Sequence, residues 1–207
     1  KELEVFDLPT GPILSTQIIN NESAIVRCID TVNYQIEFRK IDFASGIPGT
    51  SVKINGSQGE DIFSHDGNLV FDRRQNELWY TNFYSNGITK FDTGLKNIEK
   101  YKSIDTVNKP RVSVAHLETS ITYSKPPMMV NKQSFVYDKH LYVRSMLTAN
   151  NEAVSQPGNI VIDVYGPHYE ESFYLPTPSD EFVQATMIDE KKVAVLLKDK
   201  LIVLTAN

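Results

Sequence analysis

Four histidines, His65, His116, His140 and His168, are the side chains best suited to proton transfer or metal binding. None stands in the His-Glu-x-x-His spacing that puts two imidazoles on one helix face, and no two are close enough in sequence for a local metal clip. Ser64-His65-Asp66-Gly67 brings three triad residue types together. A working triad is assembled from distant segments, whereas neighbours in a turn point in different directions. Asp66-Gly67 therefore reads as a tight turn. Glu170-Glu171 and Asp189-Glu190 supply paired carboxylates. Successive strand residues face opposite sides, so neither pair forms a two-carboxylate glycosidase centre by itself. Gly46-Ile47-Pro48-Gly49 lacks the lysine and following helix of a phosphate-cradling loop.

Cys28 is the single cysteine, which excludes an intramolecular disulfide and any cysteine-built zinc or iron–sulfur centre. Alternation along Ala24–Ile29 places it with Ala24 and Val26, as a small core residue. Trp79 and the tyrosines are suited either to a sugar-binding surface or, more simply, to packing between sheets. The sequence thus assigns no catalytic residue, no metal ligand and no cofactor.

The elements that carry these residues follow from composition and pattern. The 207 residues hold 21 Lys and Arg against 26 Asp and Glu, a net charge of −5, with 41% hydrophobic and 23% charged residues. That describes a folded domain with a sizeable core. The acidic balance argues against a nucleic-acid partner, since Asp72-Arg73-Arg74 is the only compact basic spot. No transmembrane segment is expected, because no apolar run approaches the roughly 18 residues that a span requires. The runs Val193–Leu197 and Leu201–Leu204 are strand-sized. The start at Lys1 rather than methionine suggests a processed or trimmed chain. Two sequons, Asn21-Glu22-Ser23 and Asn55-Gly56-Ser57, would mark surface loops in a eukaryotic secreted protein.

Helical periodicity is almost missing, and β-branched or aromatic runs separated by turn residues recur throughout. Asn68–Phe71, Glu77–Tyr84, Ile88–Asp92 and Asn97–Ile104 read as four antiparallel strands, with Asn86-Gly87 predicting a tight hairpin. Pro12–Ile19, Ser23–Ile29, Tyr34–Phe43 and Ser51–Ile54 form an equivalent unit before them. Ser134–Tyr137, Leu141–Met146, Asn159–Tyr165 and Glu170–Leu175 form another after them. Phe182–Ile188, Val193–Leu197 and Leu201–Thr205 make three strands, and Leu3–Leu8 is an orphan at the other end. A four-stranded unit recurring roughly every 45 residues is the signature of propeller blades. The expected fold is all-β: a single β-propeller domain over residues 1–207, about four blades, closed by the N-terminal strand. An ordinary β-sandwich is the competing arrangement.

The runs Val130-Asn131-Lys132, Leu141–Ser145, Ile162–Tyr165 and Ser172–Pro176 resemble the C-terminal half of TolB-like, six-bladed propeller proteins of Bacteroidetes. Val193–Leu197 and Leu201–Leu204 are similar to the last blade of that group. The resemblance covers about Asp61–Leu204 and consists of strand anchors. It implies a cell-envelope protein, often a lipoprotein, and carries over no catalytic residue. Six blades at this spacing need roughly 250 or more residues, so the ring either has four blades or continues beyond this sequence. A lipid anchor would also lie outside it.

Two function classes follow. The first is a non-catalytic binding or scaffolding propeller, an accessory subunit of a cell-envelope complex that holds a protein partner at the membrane. The second is a propeller enzyme acting on glycans, a hydrolase or lyase with its site at the central opening. Under the first, the partner-binding residues are Tyr123, Lys125 and Pro126. They lie in the insertion Asp105–Pro127, where prolines enforce an extended chain and where a rigid scaffold places recognition.

Overall fold

The structure, a computed structural model, describes residues 11–30, 32–33, 35–46, 48–53, 62–118, 120–147, 160–177 and 181–205. Strands β1 (Ile13–Ile18), β2 (Ser23–Asp30), β3 (Gln35–Asp42) and β4 (Pro48–Lys53) form the first antiparallel sheet. A 3₁₀ turn at Ile62–His65 leads into β5 (Gly67–Asp72), β6 (Glu77–Asn82), β7 (Gly87–Asp92) and β8 (Ile98–Lys102), the second sheet. A two-stranded hairpin follows, β9 (Val114–His116) with β10 (Ile121–Tyr123). The third sheet is β11 (Asn131–Tyr137), β12 (His140–Ser145), β13 (Ile160–Tyr165) and β14 (Tyr169–Leu175). The last has three described strands, β15 (Phe182–Asp189), β16 (Lys192–Leu197) and β17 (Leu201–Thr205).

Each sheet runs up and down in sequence order, and the sheets stack face to face. The first strands lie side by side in the order β1, β5, β11, β15. That ladder of innermost strands is the geometry of propeller blades around an axis, and the expected all-β propeller class holds. The closing strand at Leu3–Leu8 and the second sequon fall outside the described residues.

Three apolar layers hold successive blades together. Ile25, Ile36 and Phe38 of the first blade meet Leu69, Leu78, Tyr80 and Phe91 of the second. Trp79 and Ile88, on the opposite face of that second sheet, meet Leu141, Val143 and Tyr165 of the third. Phe135, Ile160, Ile162 and Leu175 then meet Phe182, Val193, Val195 and Leu197 of the fourth. The alternation within β6 explains the stack, since Leu78 and Tyr80 point one way and Trp79 the other. Burying each such large side chain contributes about 1.5–3 kcal/mol.

Turns follow a common device. Asp30, Asp72, Asp92 and Asp189 each end a strand, and each carboxylate accepts backbone N–H bonds from the turn that follows. Two expectations need correction. The Asn86-Gly87 pair does not make a tight hairpin: four residues separate β6 from β7, and Gly87 has no positive φ. Asn86 instead anchors the insertion. Its N–H donates to the Val107 carbonyl at 2.7 Å, and its Nδ2 donates to the Asp105 carbonyl at 2.7 Å. The insertion is also less irregular than its prolines suggested, because the β9–β10 hairpin forms inside it.

Candidate functional site

Two places are candidates for function, the axial end of the inner strands and the insertion. The inner strands enclose an open cavity of about 410 Å³, to which all four blades contribute. Gln17 comes from β1, Asn68 from β5, Lys132 and Gln133 from β11, and Val183 from β15; Arg27 and Arg144 reach in from β2 and β12. Its charged lining comprises Arg27, Lys132 and Arg144 with the carboxylate of Asp66.

Arg27 is the organising group. It is only 7% exposed, so its charge requires partners. Its Nη1 donates to Asp66 Oδ1 at 2.6 Å, to the Gly67 carbonyl at 2.8 Å and to the Tyr80 hydroxyl at 3.1 Å. The Tyr80 hydroxyl in turn donates a hydrogen bond to the His65 carbonyl at 2.5 Å. Burial pushes the Tyr80 phenol well above its ordinary range, keeping it a neutral donor. The Nε of Arg27 is buried and makes no hydrogen bond among the described residues, and the same holds for Ser15 Oγ. Gly67 permits this packing: a Cβ there would stand 2.7 Å from Tyr80 Cζ and closer still to the Thr81 carbonyl. Across the cavity, Arg144 is 4% exposed and stacks its guanidinium 4.6 Å from the centroid of Phe182. Burial lowers its pKa.

Polar bonds join neighbouring blades beside this axis. Gln17 Nε2 donates to the Leu69 carbonyl at 2.9 Å, and Asn131 Nδ2 donates to the carbonyls of Asn82 and Ser85 at 2.9 and 3.0 Å. The first pair fixes β1 to β5, and the second fixes β11 to the end of β6.

The insertion is fastened to the second blade through Tyr123. Its hydroxyl shares a hydrogen bond of 2.8 Å with that of Tyr84, and its ring packs 4.9 Å from Phe63 and 6.2 Å from Tyr84. Of the three sequence-predicted binding residues, Tyr123 is half-buried, whereas Lys125 and Pro126 are exposed. Leu117 and Ile121 of the same hairpin are exposed beside them.

The histidines stay apart in role. His65 sits in the 3₁₀ turn, and its carbonyl rather than its ring serves Tyr80. His140 Nε2 lies 3.3 Å from Glu170 on the third blade. No group of three His, Cys, Asp or Glu side chains gathers to hold a metal among the described residues. Asp66 binds Arg27 and the Gly67 N–H, not His65. Cys28 is 1% exposed beside Val26 and Ile41, and burial raises its thiol pKa. Trp79 is covered by Tyr101, stacked at 5.8 Å, so its ring serves packing. Sequence reasoning missed the axial set. Arg27 and Arg144 are ordinary strand residues until the sheets are stacked beside them, and only Arg27 as a charge inside an apolar strand offered a signal.

No protein-family model matches the chain, and no curated protein matches it. Solved structures do. A member of the DUF4221 family from Bacteroides vulgatus matches with a TM-score of 0.47 and 12% identity, over 92% of this chain and 61% of that one. Kuenenia stuttgartiensis hydrazine synthase matches at 0.41 and 11%, over 89% and 61%. YCF48 from Cyanidioschyzon merolae matches at 0.43 and 12%, over 99% and 72%. The chain thus spans 61% of the length of the first two. The fold assignment stands on the strand order and the inner-strand ladder of the molecule itself.

Proposed function

We propose that the protein is a binding or scaffolding propeller that holds a protein partner through the insertion between its second and third blades, as an accessory subunit of a cell-envelope complex. The observation that carries the reading is the fastening of the hairpin. Tyr123 ties it to Tyr84 and Phe63, and Lys125, Pro126, Leu117 and Ile121 are left exposed. A loop held in place by its own half-buried tyrosine loses little conformational entropy on docking. An exposed cation, proline and two aliphatic side chains suit a partner segment with apolar and acidic character. The TolB-like resemblance supports the envelope setting and a lipid anchor outside this sequence. The glycan-enzyme alternative asks for two carboxylates facing each other at the axis. The described cavity offers Asp66, which is held by Arg27.

The test is capture from the native membrane fraction by the intact chain and by a Lys125→Glu, Pro126→Ala variant. A defined partner retained by the first and lost by the second, with unchanged thermal unfolding, supports the reading. Equal retention by both overturns it. Tyr123 is left intact in this variant because its ring also holds the hairpin.

A further inference from the structure

We propose that the axial cavity is a recognition site for a small oxyanion, a carboxylate or phosphate group held between Arg27, Lys132 and Arg144. The site is separate from the insertion and does not depend on the partner-binding reading.

Two observations carry it. The first is charge. The chain as a whole is acidic, at −5, yet three cations and one carboxylate line this cavity. A concentration of cations against the sign of the whole molecule focuses an attractive field for anions. The second is burial. Arg27 and Arg144 are 7% and 4% exposed, and guanidinium groups withdrawn from water bind oxyanions more strongly than exposed ones do.

The geometry also fits a small ligand. The cavity of about 410 Å³ falls in the ordinary range for small-molecule sites. Its walls come from four different blades, tied across by Gln17 to the Leu69 carbonyl and by Asn131 to the carbonyls of Asn82 and Ser85. Arg27 is held in place before the ligand arrives by Asp66, the Gly67 carbonyl and Tyr80. Gln133 and Asn68 offer amides beside them, which suits a ligand carrying hydroxyls next to its anionic group.

The experiment titrates the intact chain with citrate, acetate, inorganic phosphate and sulfate at constant ionic strength, reading thermal unfolding and calorimetric heat. Saturable stabilisation by at least one of these anions is expected. Preference among them distinguishes carboxylate from phosphate as the group recognised. Arg144→Gln should weaken binding tenfold or more, and Lys132→Glu should weaken it comparably. Lys132 is exposed, so its variant keeps the test sound if Arg144→Gln fails to fold. No saturable response to any of the four anions, or equal affinity in wild type and Lys132→Glu, overturns the proposal.

Discussion

The second and fourth blades have similar apolar strands and opposite fates. In β6 of the second blade, Leu78 and Tyr80 pack against the first blade while Trp79 packs against the third. In β16 of the fourth, Val193, Val195 and Leu197 pack against the third blade, but Leu196 on the other side is 42% exposed. Its neighbours in β17, Leu201 and Val203, are 66% and 52% exposed. A strand apolar on both faces is built to be covered on both faces. What separates the two blades is not their composition but whether, among the described residues, a neighbouring sheet packs on each side.

The comparison is broken most forcefully inside the second blade. Leu78 is fully buried between the first and second sheets. Leu78→Ala should lower the unfolding free energy by about 2–5 kcal/mol, the transfer loss plus the cavity left behind. Urea denaturation reads it. A loss below about 1 kcal/mol would mean that the interblade layer is not a packed core.

Gly67→Ala is the next largest. The added methyl has no room beside Tyr80 and the Thr81 carbonyl, and overpacking of this kind costs about 1–3 kcal/mol. Because Tyr80 and the Gly67 carbonyl both hold Arg27, the variant should also weaken anion binding at the axis, which calorimetry with the same four anions would detect. An unchanged midpoint would show that both Tyr80 and the Thr81 backbone have space to move aside.

A smaller effect has the opposite sign. The β11–β12 hairpin turns through Asp138 and Lys139, with φ of 44° and 70°. Such two-residue turns favour Asn-Gly, since both positions lie in the left-handed region. Lys139→Gly should raise stability by about 1 kcal/mol by relieving that strain. A destabilised variant would show that the lysine side chain holds something across the turn.

How much of this was legible is clear from particular residues. The strands of the first three units and the three described strands of the fourth follow from alternation and turn residues, because the period of two is written locally, and their bounds shift by only a few residues. Cys28 was placed in the core by the same alternation. The Asn86-Gly87 pair misled, since its hairpin preference was overridden by Asn86 bonding to Asp105 and Val107 in the insertion. The axial cations were invisible for a different reason. Arg27 is distant in sequence from Lys132 and Arg144, which lie on the paired strands of the β11–β12 hairpin, and the three share a cavity only after the sheets are stacked. The inward hold on Tyr123 was likewise set by Tyr84 and Phe63, which belong to another blade. Local patterning writes elements; sites between elements come from their assembly.

The smallest expected effect sharpens the comparison itself. Leu201 lies on the outer face of the fourth blade, paired with Leu196 across the β16–β17 ladder. Exposed at 66%, it makes little use of its apolar surface, and Leu201→Lys should change the unfolding free energy by no more than about 0.5 kcal/mol. The same substitution at Leu78 would be ruinous, because a lysine there would leave a charge without water or partner. Denaturation of the Leu201→Lys variant, together with light scattering across a concentration series, separates two outcomes. Unchanged stability with reduced self-association would show an uncovered apolar face, the kind of patch that drives proteins together. A loss above about 2 kcal/mol would show that this face is covered in the folded chain, and the contrast with the second blade would then collapse.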